Sequence, residues 1–363
     1  MVFDTSGKGD MYTIDDIASP LILYSEDLTE LNDSSTLSNI LGDRNPETIT
    51  TVCFPNLTDI GNNSNSFFEN YGSLEKVILP SCITIGDFTF ANCQNLKYLY
   101  APKVTNIGSN TFTGCISLFF INLPLCISLG DSAFENCFSL ISINLLEATN
   151  IGSKTFYKCT SLNSINLSKI KNIGTNAFYG CTSLTSVSLP LCTDISNYAF
   201  YGCTSLTSVD LPEVISIGSY AFYECTSLTS VDLPKVTSIS NYAFRFCTSL
   251  KLINITNSSQ VCSLSSTYGV PNTCYIQVPS DLLSSYKSAT NWNSIASRIV
   301  TSGTYDFSIP SSPERVEMLN AIYPIGSVYM SVSNKSPASS LGGSWTRLTN
   351  SVLTEVYMWQ RTL

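Results

Sequence analysis

The sequence contains no histidine and no Cys-x-x-Cys pair, so a zinc centre has neither of its usual ligand sets. Only 12% of its 363 residues are charged, about half the usual share, and Ser, Thr, Asn and Tyr must cover the surface instead. Lysines and arginines are few and stand singly. With a net charge of -9, the chain has no basic stripe for phosphates, which argues against nucleic acid and against an anionic membrane surface. No run of 18 apolar residues exists, so membrane insertion is not expected. The opening MVFDTSGKGDMYTIDD lacks a basic region followed by an apolar one, so no secretory signal is expected. Work outside a cell would then need another route, such as lysis.

What is present is a period. Cys203 to Phe222 is followed by a near-copy of itself from Cys225 to Phe244, an offset of 22 residues. The same offset recovers Phe90, Phe112, Phe134, Phe156, Phe178, Phe200, Phe222 and Phe244, each followed three residues later by a cysteine. A fixed period is a statement about fold. Within one unit the apolar positions are Leu228, Val231, Leu233, Val236 and Ile239, then Ala243, Phe244 and Cys247, which is neither a helical nor an alternating spacing. Thr229 to Leu233 alternates and is β-prone, and Pro234, lacking an N–H for a ladder, ends it, as Pro80, Pro102, Pro124, Pro190 and Pro212 do elsewhere. One unit can bury its roughly eight apolar side chains only under a neighbour, so the expected architecture is a β-rich solenoid of about nine coils. Strands stacked at ~4.8 Å would make a parallel sheet about 40 Å long.

The chain has 14 cysteines. Eight occur one per repeat, and Cys82, Cys126 and Cys192 share a column with Val104, Ala148, Ile170, Val214 and Val236. A position that accepts Val, Ala, Ile or Cys is a packing position, so buried free thiols are expected, with occasional disulfides between coils or redox chemistry as the alternatives.

The Ser-Leu-Thr-Ser-Val-x-Leu-Pro, Ile-Gly, Ala-Phe and Cys landmarks resemble those of the BspA-type leucine-rich repeat family over about Thr51 to Ile255. The resemblance implies a curved leucine-rich repeat array, with parallel strands on its concave face and a mostly irregular convex side, used for adhesion and recognition. The array is expected over 51–256, preceded by an N-terminal cap or attachment segment at 1–50 with apolar patches at Leu21 to Tyr24 and Leu37 to Leu41.

Two side-chain columns should then face the concave side. One begins Lys76, Tyr98, Phe120 and continues as Ser142 to Ser230 and Leu252; the other reads Ile78, Tyr100, Asn122, Asn144, Asn166, Ser188, Asp210, Asp232, Asn254. The candidate ligand-binding residues are Lys76, Tyr98, Tyr100, Phe119, Phe120, Asn122, Asn144, Asp210 and Asp232. Clustered rings with lysine nearby suit a protein or glycan, because rings supply contact area at low entropic cost; they would equally cover the first coils against the N-terminal segment. Asp210 and Asp232 are expected side by side, which invites a glycosidase or calcium reading. That reading is rejected, because no insertion forms a cleft, no third acid is in register, and Ser188 and Asn254 flank the pair. No catalytic residue, metal or cofactor is expected. Tyr157, Tyr179, Tyr201 and Tyr223, with Tyr198, Tyr220 and Tyr242, are expected to stack from coil to coil, with an extended tyrosine surface for glycans as the alternative.

The period breaks near Asn257. A C-terminal cap is expected over 257–300: a strand at Cys274 to Val278, then a helix opened by Pro279-Ser280-Asp281 with Ser280 as N-cap. Leu282, Leu283, Tyr286 and Ala289, then Trp292, Ile295, Ala296 and Ile299, give that helix one apolar face, broken near Thr290. Residues 301–313 read as a linker. Residues 314–363 begin with a short helix around Glu314 to Ala321, followed by Tyr323-Pro-Ile-Gly-Ser-Val-Tyr-Met-Ser-Val, Pro337 and Leu341-Gly-Gly-Ser-Trp345. That run resembles the C-terminal regions of tailed-phage baseplate and tail-fibre proteins. Only 18 residues follow Trp345, so the resemblance covers part of such a unit.

The two resemblances together imply a phage virion tail-associated receptor-binding component. Its partners would be a host cell-surface glycan or protein through the array, and other tail or baseplate proteins through the C-terminal unit. The alternative is a bacterial BspA-type surface adhesin, on the cell surface or extracellular, carrying a prophage-derived fragment.

Overall fold

The computed structural model describes residues 21–61, 66–257 and 259–302, and the backbone of three strands at 328–331, 344–347 and 357–362. Among the described residues, two-residue strands from Glu30–Leu31 to Ser263–Leu264 form one eleven-stranded parallel sheet in chain order. Each coil contributes one of these strands and a second strand, three residues long except in coil 7, so the coils number eleven where the repeat had suggested about nine. The first comes from Ile22–Tyr24 and Glu30–Leu31 of the N-terminal segment, in parallel register with Thr51–Cys53 and Asp59–Ile60 of coil 2. Coils 3 to 6 carry Lys76–Ile78, Tyr98–Tyr100, Phe120–Asn122 and Ser142–Asn144 on the longer-strand side. Coils 7 to 11 carry Ser164–Ile165, Ser186–Ser188, Ser208–Asp210, Ser230–Asp232 and Leu252–Asn254.

The core is one column of residues per apolar position. Phe68, Phe90 and each Phe at the 22-residue offset as far as Phe244 have no exposed surface and stack at centroid distances of 5.2 to 5.6 Å. Tyr71 occupies the cysteine column of coil 2 and meets Phe68 edge-on at 5.2 Å. All fourteen cysteines are buried and free. The eight in the repeat column each donate a thiol hydrogen to the carbonyl of the phenylalanine 25 residues earlier; Cys181 reaches Phe156 at 3.1 Å and Cys203 reaches Phe178 at 3.2 Å. A thiol fits there because it fills the volume of a small hydrophobe and still satisfies a buried carbonyl.

The turn side, expected to be mostly irregular, has a backbone ladder of its own. Tyr198, Phe200 and Gly202 donate their N–H groups to Ser219, Ala221 and Tyr223 of the next coil at 2.8 to 2.9 Å. Positive φ at Tyr198 (58°) and Gly202 (69°) turns the flanking amides along the stack. The glycine column on the opposite turn is a matter of space, since a Cβ on Gly86 would stand 2.0 Å from the Gly61 carbonyl oxygen.

Both ends of the stack are closed. A helix at Ser34–Leu41, capped by the Asp33 carboxylate accepting from Thr36 N–H at 2.8 Å, buries Leu37 against the first coils. At the other end the longer-strand side continues through Tyr275–Val278 to Ile299–Thr301. Ser280 is not the N-cap expected of it. Ser280–Leu282 is a 3-10 turn and the α-helix is Leu283–Ser288, with no side-chain cap at Leu282. The break near Thr290 is present, with Asn291 at φ 66° and a second turn of helix at Asn293–Arg298, and Ile299 belongs to the closing strand and not to a helix. Tyr286 and Trp292 are buried at 0% and 1%, and both bind Cys262: its N–H donates to the Tyr286 hydroxyl at 2.9 Å, and Trp292 Nε1 donates to its carbonyl at 2.6 Å.

The strands Val328–Ser331, Ser344–Arg347 and Tyr357–Thr362 form an antiparallel sheet with the last in the middle. The helix expected around Glu314 to Ala321 and most of the linker lie outside the described residues.

Candidate binding surface

The register brings one group of the expected residues together. Lys76 stands beside Tyr98 and Tyr98 beside Phe120, while Ile78, Tyr100, Asn122 and Asn144 follow one another in the second column. Ile78, expected to face outward, is buried at 2%; Cys53 beside it in coil 2 is also buried, as is Thr51 beside Lys76. Lys76 is half-buried, and the face opens only at Tyr98, 39% exposed, and Phe120, 49% exposed. Phe119 sits beside Tyr98, their rings edge to face at 5.2 Å. Asn144 Nδ2 donates to Asn122 Oδ1 at 2.8 Å, so these two amides are half committed to each other.

Asp210 and Asp232 are not brought to that group, and each turns away from the other. Ser188 Oγ donates to Asp210 at 2.8 Å on one side; on the other, Asn254 Nδ2 donates to Asp232 at 3.0 Å and Gln277 Nε2 to Asn254 at 3.0 Å. The sheet bridges stop between these two strands, with Ser208–Asp210 ending one sheet and Ser230–Asp232 beginning the next. Neutral donors therefore satisfy the carboxylates along the ladder. Among the described residues no cluster of His, Cys, Asp and Glu could hold a metal, and no helix is long and apolar enough to cross a membrane.

Further large apolar side chains are exposed on the coils that carry Tyr98 and Phe120 and on the next. Ile116, Phe138 and Ile141 are 37 to 47% exposed on coils 4 to 6, and Ile141 N–H donates to the Phe119 carbonyl, which fixes the two side by side. Patches of large exposed hydrophobics on one face mark contact sites. Reasoning restricted to the two strand columns missed these three residues. Their signal lay in the neighbouring columns: the position after the cysteine reads Ile116 and Phe138 where later coils read Thr160, Thr182, Thr204, Thr226 and Thr248. The position before the strand reads Phe119 and Ile141 where later coils read Asn163, Thr185 and Thr207.

A second surface lies on the turn side. Tyr157, Tyr179, Tyr201 and Tyr223 stack at 4.8, 4.5 and 4.7 Å, and Tyr198, Tyr220 and Tyr242 at 4.8 Å. Rings stacked on each other keep their faces for each other. What remains for a partner is a row of ring edges and hydroxyls, which does not suit a sugar seeking a ring face.

Stacked coils of one repeat, with large apolar side chains exposed on coils 4 to 6, present a long continuous surface. The BspA type leucine rich repeat region model matches the sequence in six copies over residues 25–137, 58–185 and 171–296. The chain belongs to the BspA-type leucine-rich repeat family. A second model, the C-terminal domain of the baseplate structural protein Gp10, matches residues 318–362. No curated protein matches the sequence. Among solved structures, a leucine-rich repeat protein from Bacteroides ovatus is 25% identical, covering 64% of this chain and 84% of its own, with a TM-score of 0.30. A leucine rich cell surface protein from Faecalibacterium prausnitzii is 21% identical over 76% of this chain and 82% of its own, TM-score 0.36. A leucine-rich repeat protein from Eubacterium ventriosum is 16% identical over 68% of this chain and 88% of its own, TM-score 0.40.

Proposed function

We propose that this chain is a receptor-binding component of a phage tail. The repeat array touches a host-surface glycan or protein, and residues 314–363 join it to the tail or baseplate. The observation that carries this is the union, in one chain, of a BspA-type array with a baseplate-domain match at 318–362. The contact is made by the apolar patch of Tyr98, Phe119, Phe120, Ile116, Phe138 and Ile141, with Lys76, Tyr100, Asn122 and Asn144 as its polar margin. A ring cluster surrounded by polar groups is the composition of an interface hot spot. Asp210 and Asp232 contribute a solvated polar face and no chemistry.

Antibody raised against the array, used for immunogold electron microscopy of purified virions, should label the tail. Virions without label would sink the proposal. Label confined to the bacterial surface would assign the chain to the alternative, a surface adhesin with a prophage-derived C-terminus.

A further inference from the structure

The tyrosine strip is bounded by charges of opposite sign. Along its column the residues run Glu135, Tyr157, Tyr179, Tyr201, Tyr223, Arg245, one per coil. The adjacent column runs Lys158, Gly180, Gly202, Glu224. Both patterns have the same midpoint, between Tyr179 and Tyr201, and each reverses its charge about that point. In a two-fold contact a residue on one side of the axis meets the residue equally far on the other side in the second copy, so a charged surface complements a copy of itself when its charges change sign across the axis. This one does. A two-fold axis lying across the strip between Tyr179 and Tyr201 sets Glu135 against Arg245 of a second copy, Lys158 against Glu224, and the tyrosine row against itself in reverse.

We infer that this strip is a self-association surface, and that its occupant is a second copy of the chain lying antiparallel across it. Three further features support a second copy over any other partner. First, these charges have no ion-pair partner, although Glu135 accepts a hydrogen bond from the Ser132 hydroxyl at 2.7 Å. Among the described residues, ion pairs join side chains one coil apart at Glu75–Lys97, Glu147–Lys169 and Glu213–Lys235, and none involves Glu135, Lys158, Glu224 or Arg245. Lys158 lies over the Tyr157 ring at 5.4 Å, and Arg245 lies over the rings of Phe246, Tyr242 and Tyr268 at 4.8, 5.1 and 5.1 Å, with Phe246 edge-on to Tyr223, so the two cations stand at the two ends of the strip. Second, the row is regular, its rings spaced at 4.8, 4.5 and 4.7 Å with neighbouring planes within 21°, 3° and 11° of parallel. A row with a repeat of about one coil matches another row with that repeat, and this chain supplies one. Third, the middle is hollow. Gly180 and Gly202, at φ of 70° and 69°, place no side chain in the column beside the two central tyrosines, as Gly114 does in an earlier coil, whereas that column holds Asn92, Asn136 and Lys158 elsewhere; a Cβ on Gly202 would meet nothing nearer than Gly180 Cα at 3.9 Å. A ring row from the second copy can approach there.

The inference is independent of the tail assignment, since the strip lies on the turn side and shares no residue with the apolar patch. Its test is sedimentation equilibrium of the full chain and of charge variants. The wild-type chain should associate. Lys158→Glu and Glu224→Lys each create two like-charge contacts per dimer, and each should weaken association by about tenfold or more. The double variant Lys158→Glu, Glu224→Lys restores opposite charges across the axis and should recover it. Gly180→Asn with Gly202→Asn, which fills the hollow with a residue that tolerates positive φ, should weaken association while circular dichroism stays unchanged. A chain that is monomeric throughout, association that both single reversals leave intact, or a double variant no better than the singles would each overturn it. Assembly through the C-terminal residues or another face would show as association indifferent to all four substitutions.

Discussion

Removing one ring from the middle of the phenylalanine column should cost more than removing the last one, by the amount of a ring contact. Phe178 is fully buried, with Phe156 at 5.3 Å on one side and Phe200 at 5.2 Å on the other. Phe178→Ala leaves a ring-sized void that the neighbouring coils cannot fill, because their spacing is held by backbone bonds such as Phe178 N–H to the Ala199 carbonyl at 2.8 Å. The expected loss is about 3–5 kcal/mol. Phe244 is equally buried but has a ring on one side only, Phe222 at 5.3 Å, with its N–H donating to the Gly269 carbonyl on the other. Phe244→Ala should therefore cost less by about 0.5–1.5 kcal/mol, the worth of one aromatic pair beyond its buried area. Urea unfolding followed by far-ultraviolet circular dichroism measures both. Because each coil touches only its neighbours, the Phe178→Ala transition should also broaden or divide. A loss under about 1 kcal/mol at Phe178, where ring burial alone implies several times that, would refute the stacked column.

The thiols give a second test. Burial pushes Cys93, Cys126 and Cys203 up to about 12 from an ordinary 9.0, so the folded chain keeps these protons at a pH where the unfolded chain releases them. Their stabilising contribution is complete below pH 9 and declines above it, each by up to about 1.4 kcal/mol per pH unit; urea midpoints unchanged at pH 10.5 would contradict this. In native buffer at pH 8 a thiol reagent should find no reactive cysteine, and in urea it should find all 14; rapid native labelling would mean the column is open. Tyr286→Phe strands the buried Cys262 N–H and should cost about 1–3 kcal/mol, detectable as an earlier melting of the C-terminal end in hydrogen exchange. Replacing Phe120 by Ser and Phe138 and Ile141 by Thr, the residues of later coils, should leave stability within about 0.5 kcal/mol per site.

The array was legible because a repeat states its own packing. Phe90 to Phe244 recur at a fixed offset, and a residue needed in every coil at the same place can only be facing its copies. The cysteine column was legible for the same reason, since Val104 and Cys126 share a position. The ends were not. Ile22–Tyr24 carries none of the repeat landmarks, yet it pairs with Thr51–Cys53, because an open sheet edge accepts any short β-prone segment that covers the coil beneath it. Ser280 looked like an N-cap, but Pro279 directs the chain into a 3-10 turn first, and the helix starts only at Leu283. The surface was half legible. Tyr98 and Phe120 stood out in strands, whereas Ile116, Phe138 and Ile141 belong to turn and strand-approach columns, where exposure depends on coil shape and not on alternation. Ile78 failed for the converse reason: alternation points it outward, and its neighbourhood in coils 2 and 3 buries it.

The recognition surface is tested most directly by one comparison on full-length protein. Fluorescently labelled chain is applied to a panel of bacterial cells and cell-wall polysaccharides, beside the variant with Phe120→Ser, Phe138→Thr and Ile141→Thr. Binding by the native chain that falls at least about tenfold in the variant, with unchanged circular dichroism, is the expected result for a ring-centred contact. Equal binding by both would contradict the assignment of coils 4 to 6 as the face that meets the host.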